Sequence, residues 1–172
     1  MKNPISKNWY ADPESRVYGD TVFMYVTNSL PFDEQKNLDL VTTKDLENYE
    51  IHRDILDMST YNGAVRAIWA PSVVDKDGKY YLVFAANDIY SEDEIGGLYI
   101  GVCDNPYGPF KNVFKDGRPL LNKIYNKAQP IDAHFYKAVI SLYKKISVKV
   151  LILLSLLYFY DYDLTFFPTG TK

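Results

Sequence analysis

Two aspartates, Asp12 and Asp132, stand in segments of similar local character and are the first candidates for a shared chemical task. Asp12 lies between an aromatic pair and Pro13, and Asp132 follows Pro130 by two positions. Because proline restricts the backbone of the residue before it, we expect Asp12 to be held in extended geometry. A carboxylate held in one direction can position a water molecule as a general base. An Asp-Pro pair alone is more often a structural turn, so the spacing has to support this role.

Trp69 lies close to the midpoint between the two aspartates. Its indole face can stack on the apolar C–H face of a sugar ring, although core packing explains a tryptophan equally well. The segments at 11–13, 70–72 and 131–133 recur with a period of about 60 residues, which indicates a repeated structural unit. Chance recurrence of aspartate, proline and turn residues is the alternative interpretation.

The segments between these positions predict strands. Runs rich in β-branched and aromatic residues occupy 21–26 and 79–84, and further strands are predicted at 38–41 and 98–102. Several short strands per unit without helical periodicity are typical of the blades of a β-propeller. We therefore predict an all-β fold, a partial five-bladed β-propeller with about two blades and the start of a third. With the first strand of each blade innermost, the segments around Asp12 and Asp132, and Trp69 with them, converge at one end of the central channel.

The pattern changes near residue 137. No Asp-Gly turn precedes 141–146, and the apolar run 148–160 has neither strand nor helix periodicity. The run is shorter than the about 20 apolar residues that span a bilayer, so we expect a buried strand or short core helix and no membrane span. We divide the chain into 1–136, the propeller part, and 137–172, an atypical hydrophobic tail that is not native to the fold. A shifted reading frame would explain such a tail.

Composition and charge exclude several classes of function. The net charge is −3 and no basic stripe is present, so nucleic acid is not an expected partner. The single Cys103 cannot form an internal disulfide, and the first residues lack the apolar region of a secretory signal, which favours a cytoplasmic location. The sequence contains no G-x-S-x-G motif, so nothing in it indicates a serine nucleophile of that kind.

No cofactor or metal is expected. His52 and His134 are the only histidines and lie far apart in the sequence. The acidic group at 88–94 favours a solvated loop over a calcium site. His134 could orient Asp132, but a structural histidine is the simpler interpretation.

These motifs together resemble glycoside hydrolase family 43, over about residues 3 to 136. In order they are Asn3-Pro4-Ile5, Tyr10-Ala11-Asp12-Pro13, Thr42-Thr43-Lys44-Asp45-Leu46-Glu47-Asn48-Tyr49, Trp69-Ala70-Pro71-Ser72-Val73 with Gly78-Lys79-Tyr80-Tyr81-Leu82, Ile100-Gly101-Val102 with Pro106-Tyr107-Gly108-Pro109-Phe110, and Pro130-Ile131-Asp132. The resemblance implies a five-bladed propeller. It also implies inverting hydrolysis of O-glycosyl bonds in arabinose- or xylose-containing plant oligosaccharides and polysaccharides.

The resemblance also implies roles for single residues. Asp12 matches the general base, Asp132 matches the carboxylate that orients substrate and raises the pKa of the acid, and Trp69 matches an aromatic lining the sugar subsite. The chain departs from the family pattern in two places. Ala133 replaces the proline that usually follows the second aspartate, and the last glutamate of the sequence, Glu94, precedes Asp132, so no residue corresponds to the general acid.

Because the acid is missing and the predicted blades are few, we expect this chain to have low solubility and to be inactive or weakly active. A non-catalytic carbohydrate-binding remnant is the alternative to an enzyme. An interaction or membrane-associated protein that uses 148–160 is a third possibility, and partition into detergent would favour it.

Overall fold

The computed structural model describes residues 6–86, 96–122, 130–142 and 145–153, with side chains described as far as residue 136. Within this part, the secondary structure consists of antiparallel β-sheets and two short 3-10 turns, Phe32–Glu34 and Met58–Thr60. The predicted all-β class is confirmed. The acidic group at 88–94 lies outside the described residues, as do most of the tail and the motif at 3–5.

The first sheet has four strands in sequence order, β1 (Tyr10–Tyr18), β2 (Thr21–Asn28), β3 (Leu38–Thr43) and β4 (Glu50–His52). The strands predicted at 21–26 and 38–41 are confirmed as β2 and β3. Strand β1 was not predicted as a strand, because its sequence is polar and contains Pro13. The strand tolerates this composition because β1 is the edge of its sheet, and a bulge lies between Ala11 and Glu14.

The second sheet repeats this arrangement with β5 (Ile68–Lys76), β6 (Lys79–Ala86), β7 (Gly97–Cys103) and β8 (Lys111–Asn112), while the short β9 (Leu121–Asn122) also pairs with β7. The strands predicted at 79–84 and 98–102 are confirmed as β6 and β7. An Asp-Gly turn joins β5 to β6, where Asp77 and Gly78 have φ values of 51° and 76°.

A third unit begins with β10 (His134–Leu142), which pairs with β11 (Lys145–Leu153) in an antiparallel hairpin. Strand β10 therefore crosses residue 137, where the sequence changes character, and the domain boundary there stays a prediction. Residues 148–153, the first part of the apolar run 148–160, lie in strand β11 and not in a helix, while the burial expected for this run stays a prediction. No helix in the described ranges combines the length and the apolar character needed to cross a membrane.

The two complete sheets pack face to face through one apolar cluster. Phe23 and Leu40 from the first sheet meet Leu82 and Phe84 from the second, and all four are at most 3% exposed. Phe84 also stacks on Tyr99, with ring centroids 5.5 Å apart and planes 15° apart. Several aromatic side chains of the sequence therefore belong to the interface between blades.

The opposite face of the second sheet packs on the start of the third unit. Val83 and Leu98, both fully buried, lie in a second cluster with Ala133 and Phe135, each 4% exposed. Because both faces of the second sheet are covered, β6 shows a continuous apolar sequence without polar alternation. These two clusters bring the inner strands β1, β5 and β10 side by side, and β5 contacts both of the others.

A polar contact ties the first sheet to the second. The Tyr25 hydroxyl donates a hydrogen bond of 2.7 Å to the carbonyl oxygen of Pro106, and Tyr25 is fully buried. In Tyr25→Phe this carbonyl loses its partner inside the interface, so we expect the free energy of unfolding to fall by about 1 to 2 kcal/mol. Urea denaturation measures the change. The control Tyr49→Phe removes a hydroxyl at an exposed turn and should change stability by less than about 0.5 kcal/mol; equal losses in both variants would contradict this account.

Candidate active site

The beginnings of the three inner strands enclose one open cavity of about 230 Å³. Three consecutive residues from each of these regions form its wall: Asp12, Pro13 and Glu14 in β1; Ala70, Pro71 and Ser72 in β5; and Asp132 and Ala133, which precede β10, with His134, its first residue. The sequence prediction that Asp12 and Asp132 face a common pocket therefore agrees with the structure. Its volume lies below the roughly 300 to 1,000 Å³ typical of sites for drug-sized ligands, so it suits one small molecule or one unit of a larger one.

The three inner strands share an unusual backbone conformation at equivalent positions. Asp12, Ala70 and Asp132 have φ values of 49°, 51° and 56°, in the left-handed region that non-glycine residues seldom adopt. In β1 and β5 these residues lie inside the β-bulges. The expectation that Pro13 holds Asp12 in extended geometry is therefore wrong. The bulge carries an extra residue at the start of the strand, and aspartate tolerates the left-handed conformation better than most residues.

Asp12 is held in place by a hydrogen-bond chain between two blades. The Thr27 hydroxyl donates to Oδ2 of Asp12 at 2.8 Å, and the backbone N–H of Ala70 donates to the Thr27 oxygen at 2.8 Å. Thr27 is 4% exposed, so water does not compete strongly for this hydroxyl. The bulge of β5 thus fixes the carboxylate of β1. Sequence reasoning missed Thr27, although a polar residue at the end of a buried strand is the signal that could have found it.

The pKa of the Asp132 carboxyl is raised above its ordinary value. Partial burial at the cavity wall raises the pKa of its carboxyl, and the nearby Asp12 carboxylate raises that pKa further. The second cause requires the two carboxylates to lie close enough for their charges to interact. A pair of interacting carboxylates in one cavity is typical of sites that perform acid-base chemistry.

Below the aspartates, the next layer of the cavity forms a polar junction between all three inner strands. The Ser72 hydroxyl lies 3.2 Å from Oε1 of Glu14 and 3.2 Å from Nδ1 of His134, and it accepts the backbone N–H of Phe135 at 3.0 Å. Glu14 also pairs with Arg16, whose Nε donates to the carbonyl oxygen of Val73 at 2.9 Å. Ser72 belongs to the motif Trp69-Ala70-Pro71-Ser72-Val73, but the sequence alone indicates no role for its hydroxyl.

This junction is not a Ser-His-acid catalytic relay. Such a relay needs the serine and the acid on different nitrogens of the imidazole. Here Ser72 and Glu14 both approach Nδ1, at 3.2 Å and 3.5 Å. Ser72 is also only 2% exposed, so a substrate cannot reach its hydroxyl. His134 contacts Ser72 and Glu14 rather than Asp132, which favours the structural interpretation of this histidine over direct orientation of the aspartate.

Trp69 lies beside the cavity without lining it. Its indole N–H donates to Oε1 of Gln35, and its ring meets the Phe32 ring edge-on with centroids 6.1 Å apart. The following residue, Ala70, is the one that lines the cavity. The indole is therefore held by the segment between β2 and β3, and its role as a sugar platform stays a prediction. Within the described ranges, no group of three or more His, Cys, Asp or Glu side chains is arranged to bind a metal ion.

Comparison with known proteins adds an independent line of support. The family model for glycosyl hydrolases family 43 matches residues 1–138. A β-D-galactofuranosidase from Aspergillus niger is 32% identical over 149 residues, which cover 78% of this chain and 41% of the relative. A xylosidase/arabinosidase from Humicola insolens is 30% identical over 122 residues, which cover 62% of this chain and 36% of the relative. The chain thus spans less than half the length of these curated relatives.

Solved structures show the same fold. A family 43 β-xylosidase/α-arabinofuranosidase from a compost metagenome, solved with xylotriose, matches with a TM-score of 0.61 and 25% identity, over 79% of this chain and 42% of that one. A family 43 enzyme from Xanthomonas citri, solved with xylose, matches with a TM-score of 0.62 and 23% identity, over 77% of this chain and 38% of that one. The prediction that the chain forms part of a β-propeller is therefore confirmed.

The charge interaction between the two aspartates can be tested directly. In Asp12→Asn the neighbouring negative charge disappears, so the pKa of Asp132 should fall toward its ordinary value while the contribution of burial remains. Carboxyl ¹³C NMR titration measures this pKa. As a control, Asp20→Asn removes an exposed carboxylate that pairs with Lys44 and should leave Asp132 unchanged. An Asp132 titration insensitive to Asp12→Asn would show that the two carboxylates do not interact.

Proposed function

We propose that this chain, which belongs to family 43 of the glycosyl hydrolases, supplies the general base and part of the sugar-binding site of a glycosidase. One observation carries the proposal: Asp12 and Asp132, far apart in the sequence, line one cavity, and the charge of the first raises the pKa of the second. The cavity is open and of a size for a single sugar unit, and its walls present carboxylates that hydrogen-bond hydroxyl groups.

In this proposal Asp12 is the base of an inverting hydrolysis. The Thr27 hydroxyl donates a hydrogen bond to Oδ2 of Asp12. Asp12 itself is exposed and lines the cavity wall, so its other oxygen, Oδ1, is open to solvent. Oδ1 then accepts the proton of a water molecule while that water attacks the anomeric carbon of the sugar, and the bond from this carbon to the glycosidic oxygen breaks on the opposite face. A fixed carboxylate needs little reorganisation when the proton moves, because the hydrogen bond from Thr27 already selects its orientation.

Asp132 has a different task in the same proposal. Its carboxylate binds a sugar hydroxyl and orients the ring against the water activated by Asp12. As a second negative charge in the site, it also raises the pKa of a carboxylic acid that approaches the glycosidic oxygen, which keeps that acid protonated. Trp69 completes the proposed site as the aromatic residue near the sugar subsite, positioned by Gln35 and Phe32.

The proposed substrates are arabinose- or xylose-containing oligosaccharides and polysaccharides. The names of the relatives support this class, since they include xylosidase/arabinosidases and a β-xylosidase/α-arabinofuranosidase solved with xylotriose. The Aspergillus niger relative is a β-D-galactofuranosidase, so a galactofuranoside belongs in the same set of test substrates.

The general acid has no counterpart in this chain, because its last glutamate is Glu94. A general acid contributes about 10²- to 10⁴-fold in rate, which corresponds to roughly 3 to 5 kcal/mol of the barrier. The loss matters most for a poor leaving group that needs a proton. A second candidate function is a carbohydrate-binding protein without turnover, because the carboxylates that line the cavity can hydrogen-bond sugar hydroxyls without any acid.

The leaving-group dependence of hydrolysis separates these two functions. We expect the 172-residue chain to cleave 2,4-dinitrophenyl α-L-arabinofuranoside, β-D-xyloside or β-D-galactofuranoside slowly, and the corresponding methyl glycosides not measurably, because only the first group departs without a proton. Asp12→Asn should abolish the cleavage. Release of 2,4-dinitrophenol measures it, and Asp20→Asn is the matched control.

Affinity electrophoresis on arabinan and xylan completes this test. Retardation in the gel without cleavage of any aryl glycoside would identify the carbohydrate-binding function. Neither retardation nor cleavage would contradict both functions. Cleavage that survives Asp12→Asn would contradict the role of Asp12 as the base.

A further inference from the structure

The Ser72 hydroxyl has three neighbours and can satisfy all of them in only one way. A serine hydroxyl has one proton to donate and two lone pairs to accept with. The backbone N–H of Phe135 can only donate, and the carboxylate of Glu14 can only accept. The single Ser72 proton therefore goes to Glu14. The remaining lone pair of Ser72 faces Nδ1 of His134 at 3.2 Å, so this nitrogen has to be the donor.

The charge near the ring favours the same assignment. Oε2 of Glu14 lies 3.5 Å from Nδ1 of His134, and the Glu14 side chain is only 14% exposed. A proton on Nδ1 points toward this negative charge, whereas a bare Nδ1 would place its lone pair against both Glu14 and Ser72. The neutral imidazole then carries its proton on Nδ1, and Nε2 is an unprotonated acceptor.

We infer that Ser72 and Glu14 fix this tautomer so that Nε2 of His134 accepts a hydrogen bond from a hydroxyl group of the bound sugar. Nδ1 faces the buried junction, and Nε2 lies on the opposite edge of the ring. The His134 side chain is 50% exposed and lines the cavity that contains both aspartates. His134 is then a substrate-binding residue, while Ser72 and Glu14 are positioning residues.

Nε2 of His134 gives the cavity an uncharged hydrogen-bond acceptor beside the charged acceptors of the two aspartates. A carboxylate and an unprotonated imidazole nitrogen both accept hydrogen bonds from hydroxyl groups. A sugar hydroxyl near His134 therefore meets an acceptor that does not add negative charge beside Asp12 and Asp132. The sugar half of the inference rests on the proposed function, whereas the tautomer does not.

The chain suits an NMR test of the tautomer because it has only two histidines, His52 and His134. Long-range ¹H-¹⁵N correlation spectra of the histidine-labelled protein show which ring nitrogen carries the proton. His52→Gln assigns the remaining ring. At about pH 8.5, where the neutral imidazole predominates, we expect His134 to be protonated on Nδ1 and not on Nε2. The opposite tautomer in the free protein would overturn the inference.

Two hydroxyl deletions test the positioning role of Ser72. Ser72→Ala removes the acceptor of the Nδ1 proton, so the share of the Nε2-protonated tautomer of His134 should rise. Thr42→Val is the matched control, because the Thr42 hydroxyl makes the same kind of contact with Nε2 of His52, at 2.9 Å in the first sheet. It should change the His52 spectrum alone. An unchanged His134 ring in folded Ser72→Ala, with folding verified by circular dichroism, would overturn the role of Ser72.

Titration with D-xylose and L-arabinose tests the sugar contact. We expect one of the sugars to shift the ¹⁵N resonance of His134 Nε2 together with the carboxyl resonances of Asp12 and Asp132, and His134→Phe should weaken its binding at least threefold. Shifts of the two aspartates alone would overturn the contact with His134 and leave the proposed function standing. No shift of any of these resonances would overturn the proposed function and the sugar contact together, while the tautomer would still be decided by the free protein.

Discussion

The architecture of the site depends on one backbone constraint, repeated three times: a residue within or just before the beginning of each inner strand has the left-handed conformation. Asp12, Ala70 and Asp132 have this conformation, which is unfavourable for residues with a side chain by roughly 1 to 2 kcal/mol each. The rest of the structure stabilises these three conformations. The packing of the blades holds the inner strands in place, and hydrogen bonds from the hydroxyl groups of Thr27 and Ser72 hold the residues at the cavity. Backbone strain of this kind is common at functional sites, and here it accompanies the residues that line the cavity.

The hydroxyl groups of Thr27 and Ser72 connect neighbouring blades at the cavity and so position the residues that line it. Thr27 connects the backbone of β5 to the carboxylate of Asp12, and Ser72 connects β5 to Glu14 on β1 and to the backbone of β10. Both hydroxyls are nearly fully buried, so each lost hydrogen bond leaves a polar group without water. The second blade is thus the centre of the site: its inner strand contacts both neighbours and carries no carboxylate at the equivalent position, Ala70.

Much of the fold could be predicted from the sequence because it depends on local patterns. The apolar strands β2, β3, β6 and β7 are recognisable by composition, and the repeat of about 60 residues gives the blades. The inner strands β1 and β5 were harder to predict, because both contain a proline and β1 is also polar. What defines them is pairing to β2 and β6 around a bulge, and this is a long-range property that no short segment contains.

The site was predictable in part for the same reason. Equivalent positions in repeats indicated that Asp12 and Asp132 face one cavity, and they do. The conformation of Asp12, the contact of Trp69 with Gln35 and the junction at Ser72 were not predictable, since each depends on residues from another strand or loop. His134 shows the limit most clearly: beside Asp132 in the sequence, it instead contacts Ser72 and Glu14 on two other inner strands.

The convergence of the two aspartates is the central claim, and a cross-link measures it most directly. In a Cys103→Ser background, the variant with both Asp12→Cys and Asp132→Cys is treated with a short bifunctional thiol reagent, and the linked peptides are identified by mass spectrometry. The structure predicts an intramolecular link between positions 12 and 132, and none when Asp45→Cys replaces Asp12→Cys. Failure of the first pair to link in the folded protein, or equal linking of both pairs, would contradict a common cavity.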